Sequence, residues 1–206
     1  MNETGNDVFC SALNDFVAQQ ALMDKIHWWL VRAHSVERWF QFEYAFFLDK
    51  HLAGRFAAVC EVQRADIVLY PAHLPASHLP IWKNSPVGKI ELKVNGNWYV
   101  VGNTFADIAA DVAKVDHYNV PAAALVIWVI AVPKNGSSIY RWIERQIANK
   151  TGTQDLATID SNMEGCSRGF ELIAEQPLGL PDNRCGGLSI RLYVHRNTLA
   201  REIEWP

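Results

Sequence analysis

Hydrophobic and polar positions recur with two different periods along this chain, and each change of period marks an element. Leu13, Phe16, Val17, Leu22, Ile26, Trp29 and Leu30 follow a helical spacing, which predicts a first helix over residues 13–31. Ser35 is placed to cap a second helix over 36–52, and Gly54 to stop it. Residues 57–62 and 65–70 are short β-rich runs that predict adjacent strands. Residues 71–86 hold four prolines and two histidines without periodicity, which predicts a long surface loop. Strict alternation over 88–94 predicts a strand. Asn95-Gly96 then predicts a tight turn, with a returning strand over 98–101. Thr104 is placed to cap a helix reaching Tyr118, with Phe105, Ile108, Ala109, Val112 and Val115 as its apolar stripe. Residues 122–132 are almost wholly apolar and predict a buried strand. Ser137 or Ser138 opens a helix running to Lys150. The remainder is polar and loop-rich, with strands predicted at 169–174 and 188–194.

A hydrophobic strand directly after a helix argues for partly parallel pairing, hence an α/β sheet. Of 206 residues, 50% are apolar and 20% charged, enough apolar surface to build a core without a disulfide or metal staple. One domain is expected, with a helical extension over 1–34, a core over 35–135 and an α/β extension over 136–206. The net charge of −3 and a pI of about 6.1 exclude nucleic-acid binding by bulk charge, and leave room for a local basic groove. Cys10, Cys60, Cys166 and Cys185 form no C-x-x-C pair and read as reduced, mostly buried thiols. No basic stretch followed by an apolar run opens the chain, and 122–132 is too short to span a bilayer as a helix. A cytoplasmic location without membrane contact is the expectation.

Candidate chemistry sits where polar groups interrupt apolar segments. Asp66 shares a strand face with Val68 and Tyr70, while Ile67 and Leu69 point the other way. Lys89, Glu91 and Lys93 share one face of the next strand, opposite Ile90, Leu92 and Val94. Glu43 falls beside a helical stripe of Trp39, Phe40, Phe46 and Phe47, where a carboxylate is costly unless it meets a partner, a metal or water. An acid-x-Lys tripeptide is expected about once by chance in such a chain, so the weight lies on its context.

In that context, Glu43 … Asp66 … Glu91-Leu92-Lys93, the chain resembles the PD-(D/E)XK nuclease superfamily, also called the restriction-endonuclease-like fold. The resemblance covers residues 36–133. Ala65 departs from the proline that gives the motif its name. What it implies is an αβββαβ core with a mixed central sheet flanked by helices, and metal-dependent hydrolysis of phosphodiester bonds in nucleic acid, with DNA as the expected substrate. Mg²⁺ is the implied cofactor and Mn²⁺ a substitute. Asp66, Glu91, Glu43 and the Leu92 backbone carbonyl would hold the ion. Lys93 would orient the attacking water, help deprotonate it and stabilise developing charge. Lys114, Arg64 and Gln41 would contact or support substrate. A homodimer or a partner protein fits such a role. The chemistry agrees with this picture, because Mg²⁺ takes one or two carboxylates and keeps several waters.

Other readings of the same residues stay open. A catalytically silent binding or regulatory protein can keep such a fold. Asp66, Glu91 and Lys93 also fit an ion pair on a sheet surface. Glu43 also fits the polar rim of a helix, and Lys114 a helix-surface charge. His73 and His78 lack partners at zinc spacing, and could contact substrate from their loop. Trp28, Trp29, Trp39, Trp128 and Trp142 read as core, while Trp82 and Trp98 stand near loops from which they could stack on bases. Gly186-Gly187 lacks the strand–loop–helix setting of a phosphate-binding loop.

Overall fold

Alternating and helical periods resolve into a six-stranded sheet with helices on both faces. A computed structural model describes residues 8–19, 25, 37–52, 55–71, 85–96, 103–131, 156–166, 169–177 and 188–202. In chain order these form α1 (Val8–Val17), α2 (Glu37–His51), β1 (Phe56–Val62), β2 (Ala65–Pro71), β3 (Gly88–Gly96), α3 (Thr104–His117), β4 (Ala122–Ala131), α4 (Leu156–Cys166), β5 (Glu171–Pro177), β6 (Leu188–Arg196) and α5 (Thr198–Glu202). The strand order is β1-β2-β3-β4-β6-β5. Only β3 and β4 run parallel; the other neighbours are antiparallel. The parallel step falls where α3 makes the crossover, as a parallel connection requires. The expected mixed α/β sheet is therefore present.

Alternation decides which side chain meets which layer. Ile67, Leu69, Ile90, Leu92, Leu125, Ile127, Ile190 and Leu192 pack in one core with Phe16 of α1 and Phe40, Tyr44 and Leu48 of α2. Across the sheet, Val126, Trp128 and Tyr193 meet Ile108 of α3 and Ile159 and Met163 of α4. Covered on both faces, β4 is buried at every residue from 122 to 130, which explains its nearly unbroken apolar run. No described helix is long and apolar enough to cross a membrane.

Several local expectations need correction. The first helix begins at Val8, five residues early, and closes at Val17 with a turn at Ala18. Asn95 and Gly96 do not turn; they continue β3, paired with Trp128 and Val129 of β4, because a central neighbour offers them ladder hydrogen bonds. Asn103, not Thr104, is the cap residue of α3, and Thr104 is its first, buried residue. In the tail, α4 and α5 appear where only loops and strands were expected, and β5 starts two residues late. Cys60 and Cys166 are free and partly buried. Ser35, Gly54, the stretch 72–84, the strand expected at 98–101, the helix expected from Ser137 or Ser138, and Cys185 lie outside the described residues, as do His73, His78, Trp28, Trp29, Trp82, Trp98, Trp142 and Gly186-Gly187.

One buried side chain fixes the link from α3 to β4. Asn197 Oδ1 accepts from Ala122 N at 3.1 Å and from Ala200 N at 2.9 Å, the second bond capping α5. Its Nδ2 donates to Val120 O at 2.8 Å, with Val115 O and Tyr118 O at 3.3 and 3.4 Å. A single amide thus satisfies backbone groups of the connecting loop and holds the segment carrying Tyr118 against the sheet.

Candidate functional site

The β1–β2 hairpin closes through Gln63 and Arg64, both at positive φ (52° and 63°), the geometry of a tight two-residue turn. Glu61 also has positive φ, 53°. Regular register therefore skips one position: Cys60 pairs with Ile67 and Val62 with Ala65. On its other edge, β2 pairs with β3 only at Ile67–Ile90, Val68–Lys89 and Leu69–Gly88. Asp66 is left without a ladder partner on either side. Side chains replace the missing bonds. Gln41 Nε2, from α2, donates to the Asp66 carbonyl at 2.6 Å, and Leu92 N donates to Asp66 Oδ2 at 2.7 Å. The Asp66 carboxylate thus fills the gap where β2 and β3 separate. The N–H and C=O of an extended residue leave a strand on the same side, so the Leu92 carbonyl faces that gap too.

Next to the gap lies a chain of alternating charges. Lys93 Nζ stands 3.2 Å from Glu37 Oε1 and 3.7 Å from Asp111 Oδ2. Lys114 Nζ stands 2.9 Å from Asp111 Oδ1 and 3.1 Å from Glu91 Oε2. The Tyr118 hydroxyl donates to Glu91 Oε1 and lies 3.1 Å from the Arg64 carbonyl. Lys89 is buried, with its ammonium 4.4 Å from the centre of the Tyr118 ring and 3.4 Å from the Gln63 carbonyl. The Glu91 side chain is only 3% exposed, so its charge is almost wholly desolvated.

Burial governs the electrostatics. It pushes the carboxyls of Asp66, Glu91 and Glu37 above their ordinary range, even though Leu92 N, Tyr118 with Lys114, and Lys93 respectively oppose it. Burial also acts to lower Lys93 and Lys114. For both, the surrounding carboxylates outweigh it and hold the ammonium charged above the usual lysine range: Glu37 and Asp111 for Lys93, Asp111 and Glu91 for Lys114. Lys89, with less compensation, is lowered by burial. The three carboxyls therefore stay raised by burial although charged lysines stand beside them.

The expected residues separate into two groups. Asp66, Glu91, Lys93 and Lys114 share this cluster. Gln41 is buried beneath it and supports the Asp66 backbone. Arg64 contributes its carbonyl, while its side chain is exposed at the hairpin tip. Glu43 is not brought there. The inward stripe of α2 is Phe40, Gln41, Tyr44, Ala45 and Leu48, and Glu43 lies off it, toward α1. It pairs with Lys25 at 2.6 Å and lines a separate cavity of about 420 Å³ with Phe16, Phe46, Phe47 and His51. The carboxylate that α2 does supply is Glu37, one turn before Gln41.

Glu37, Asp111 and Tyr118 are therefore the members that the sequence reading missed. Asp111 had a signal. It sits in the spacing Ile108–Asp111–Val112–Val115, an acid inside an apolar stripe, and is buried. Glu37 had none, because an acid in the first turn is what any helix favours. Tyr118, just past the helix end, had none either.

The oxygen donors offered to a cation are Asp66, Glu91 and the Leu92 carbonyl. They suit Mg²⁺, which takes few carboxylates and retains water. Among the described residues no group of three or more His, Cys, Asp or Glu side chains is arranged to hold a metal ion. No family model matches the chain, and neither the curated proteins nor the solved structures give a significant match.

Proposed function

We propose that this chain is a Mg²⁺-dependent nuclease of the PD-(D/E)XK kind, with a restriction-endonuclease-like core, that hydrolyses phosphodiester bonds in DNA. The observation that carries the reading is the convergence of Asp66, Glu91 and Lys93 where β2 and β3 part, within the order α2-β1-β2-β3-α3-β4. That order is the αβββαβ succession the resemblance implies.

Asp66, Glu91 and the Leu92 carbonyl would hold the divalent cation, which supplies an activated water and charge neutralisation when bound. Lys93 remains protonated between Glu37 and Asp111, so its role is to stabilise negative charge growing on the phosphoryl oxygens rather than to remove a proton. Glu37 is the acid that α2 brings to the cluster, in a different role from the metal contact expected of Glu43: it fixes the Lys93 ammonium. Gln41 holds the Asp66 backbone in its irregular conformation. Lys114, half-exposed beside Glu91, would meet a substrate phosphate.

Incubation of the protein with plasmid, linear duplex and single-stranded DNA in Mg²⁺ or Mn²⁺ tests the reading. Cleavage is expected, with Asp66→Ala and Lys93→Ala each lowering the rate by about 10²-fold or more. Cleavage that survives both substitutions defeats the proposal. A second reading, a silent nuclease-fold binding protein, draws on the occupation of both Glu91 carboxylate oxygens by Tyr118 and Lys114. DNA binding without cleavage in either metal would favour it.

A further inference from the structure

We propose that Lys114 is a built-in competitor for the divalent cation. Its ammonium bridges Glu91 and Asp111 and covers Glu91 Oε2, and it must leave before that oxygen can help hold a metal ion. This competition presupposes a metal-dependent site.

Three features of the geometry point to it. First, Lys114 Nζ sits between carboxylates from two elements, 3.1 Å from Glu91 Oε2 on β3 and 2.9 Å from Asp111 Oδ1 on α3, as a bridging cation would. Second, Tyr118 already holds Glu91 Oε1, so Oε2 is the oxygen left for a metal, and Lys114 covers it. Third, the lysine reaches in from outside. Its side chain is 49% exposed against 3% for Glu91, so a flexible four-carbon stem can withdraw without opening the core. Lys93 is the less exposed of the two, at 25%. A divalent ion would bring two charges to the place where the Lys114 ammonium brings one. Once expelled, Lys114 stands at the rim with a free charge, able to meet a phosphate, so substrate and metal would both favour its outward position.

Mn²⁺ binding to the protein without nucleic acid, followed by electron paramagnetic resonance, reads the competition directly. If Lys114 is withdrawn in about a tenth of molecules, the apparent affinity of the wild type is about tenfold below that of the open site. Lys114→Met is then expected to bind Mn²⁺ about tenfold more tightly, and Lys114→Arg, which keeps the charge, to show no such gain. Lys114→Gln serves the same comparison should the Met variant fail to fold, as judged by circular dichroism. Wild-type binding that stays equal or becomes weaker on removing the lysine overturns the competition and leaves the metal-dependent reading intact. Failure of the wild type and the uncharged variant alike to bind millimolar Mn²⁺ removes that reading, and the competition with it.

Discussion

Two charged clusters lie on the same side of the sheet, and they are built to opposite rules. At its β5–β6 end, Arg191 Nη1 binds both carboxylate oxygens of Asp160 at 2.7 and 2.8 Å, its Nη2 reaches Glu175 at 3.0 Å, and the Tyr193 hydroxyl also donates to Asp160. Burial acts to raise Asp160, but Tyr193 and Arg191 outweigh it and its carboxyl is lowered. One guanidinium and one hydroxyl satisfy the Asp160 carboxylate there, and the buried Nε of Arg191 alone meets no acceptor. Around Asp66 and Glu91, Lys89, Lys93 and Lys114 meet four carboxylates, yet burial keeps Asp66, Glu91 and Glu37 raised. The first cluster is an anchor, tying α4 to β5 and β6. The second holds carboxyls that burial keeps raised, the kind of perturbed group that marks a candidate functional site.

The comparison separates rate from stability. The largest effect expected is on cleavage: the hundredfold loss in Asp66→Ala and Lys93→Ala, against an unchanged rate in Asp160→Asn once folded. Stability should run the other way. Arg191→Met keeps most of the stem and deletes the partner of Asp160, so unfolding is expected to become easier by about 2–3 kcal/mol. For a chain of this size that is a melting-temperature fall of roughly 4–12 °C. Asp66→Asn keeps an oxygen for Leu92 N and removes a buried charge, so it is expected to raise stability by about 1 kcal/mol at neutral pH. Thermal melts of both variants check the pair. Loss of stability in both would mean that the Asp66 region is an anchor too.

How far each cluster could be read from the sequence follows the same division. Alternation placed Asp66 with Val68, and Glu91 with Lys89 and Lys93, because strand faces are set by a period of two and nothing else. The central strand β4 was legible for the same reason: burial on both faces leaves an uninterrupted apolar run. Glu43 was misplaced because two aromatic-rich turns of α2 show apolar residues nearly all round, so the stripe had no direction until α1 and the sheet were packed against it. The kink that frees Asp66 from its ladder had no local signature, since Gln63 and Arg64 are not turn-forming residues. The cluster at Arg191 was invisible, because its members come from α4, β5 and β6 and meet only after the tail has folded.

Titration should split the two regions by sign. Asp66 is raised in the folded chain, so its charge weighs against folding at neutral pH. That cost fades as pH falls through the raised value toward the ordinary aspartate range near ~4, where the folded chain takes up its proton first. Asp160 is lowered, so its contribution is complete above the ordinary value and is lost as pH falls through the lowered one. Melting temperatures measured from acid to neutral pH should therefore show Asp66→Asn above the wild type at neutral pH and converging with it on acidification. Asp160→Asn should lie below the wild type at neutral pH and converge from that side. Curves displaced in the same direction would break the distinction.

The smallest effect concerns the turn that makes the irregularity. Gln63 adopts φ of 52°, where an L side chain costs roughly 1 kcal/mol relative to the right-handed region. Its backbone carbonyl stands 3.4 Å from Lys89 Nζ, a contact that any residue can supply. Gln63→Gly relieves the side-chain clash and gives back part of the gain through a more flexible unfolded chain. A net rise of about 0.5 kcal/mol, or roughly 1–2 °C in melting temperature, is expected, with cleavage unchanged. Asp66 would still be held out of its ladder by Gln41 and Leu92. A fall in cleavage alongside the rise in stability would instead place the support of Asp66 in the strained turn, making hairpin strain part of the site.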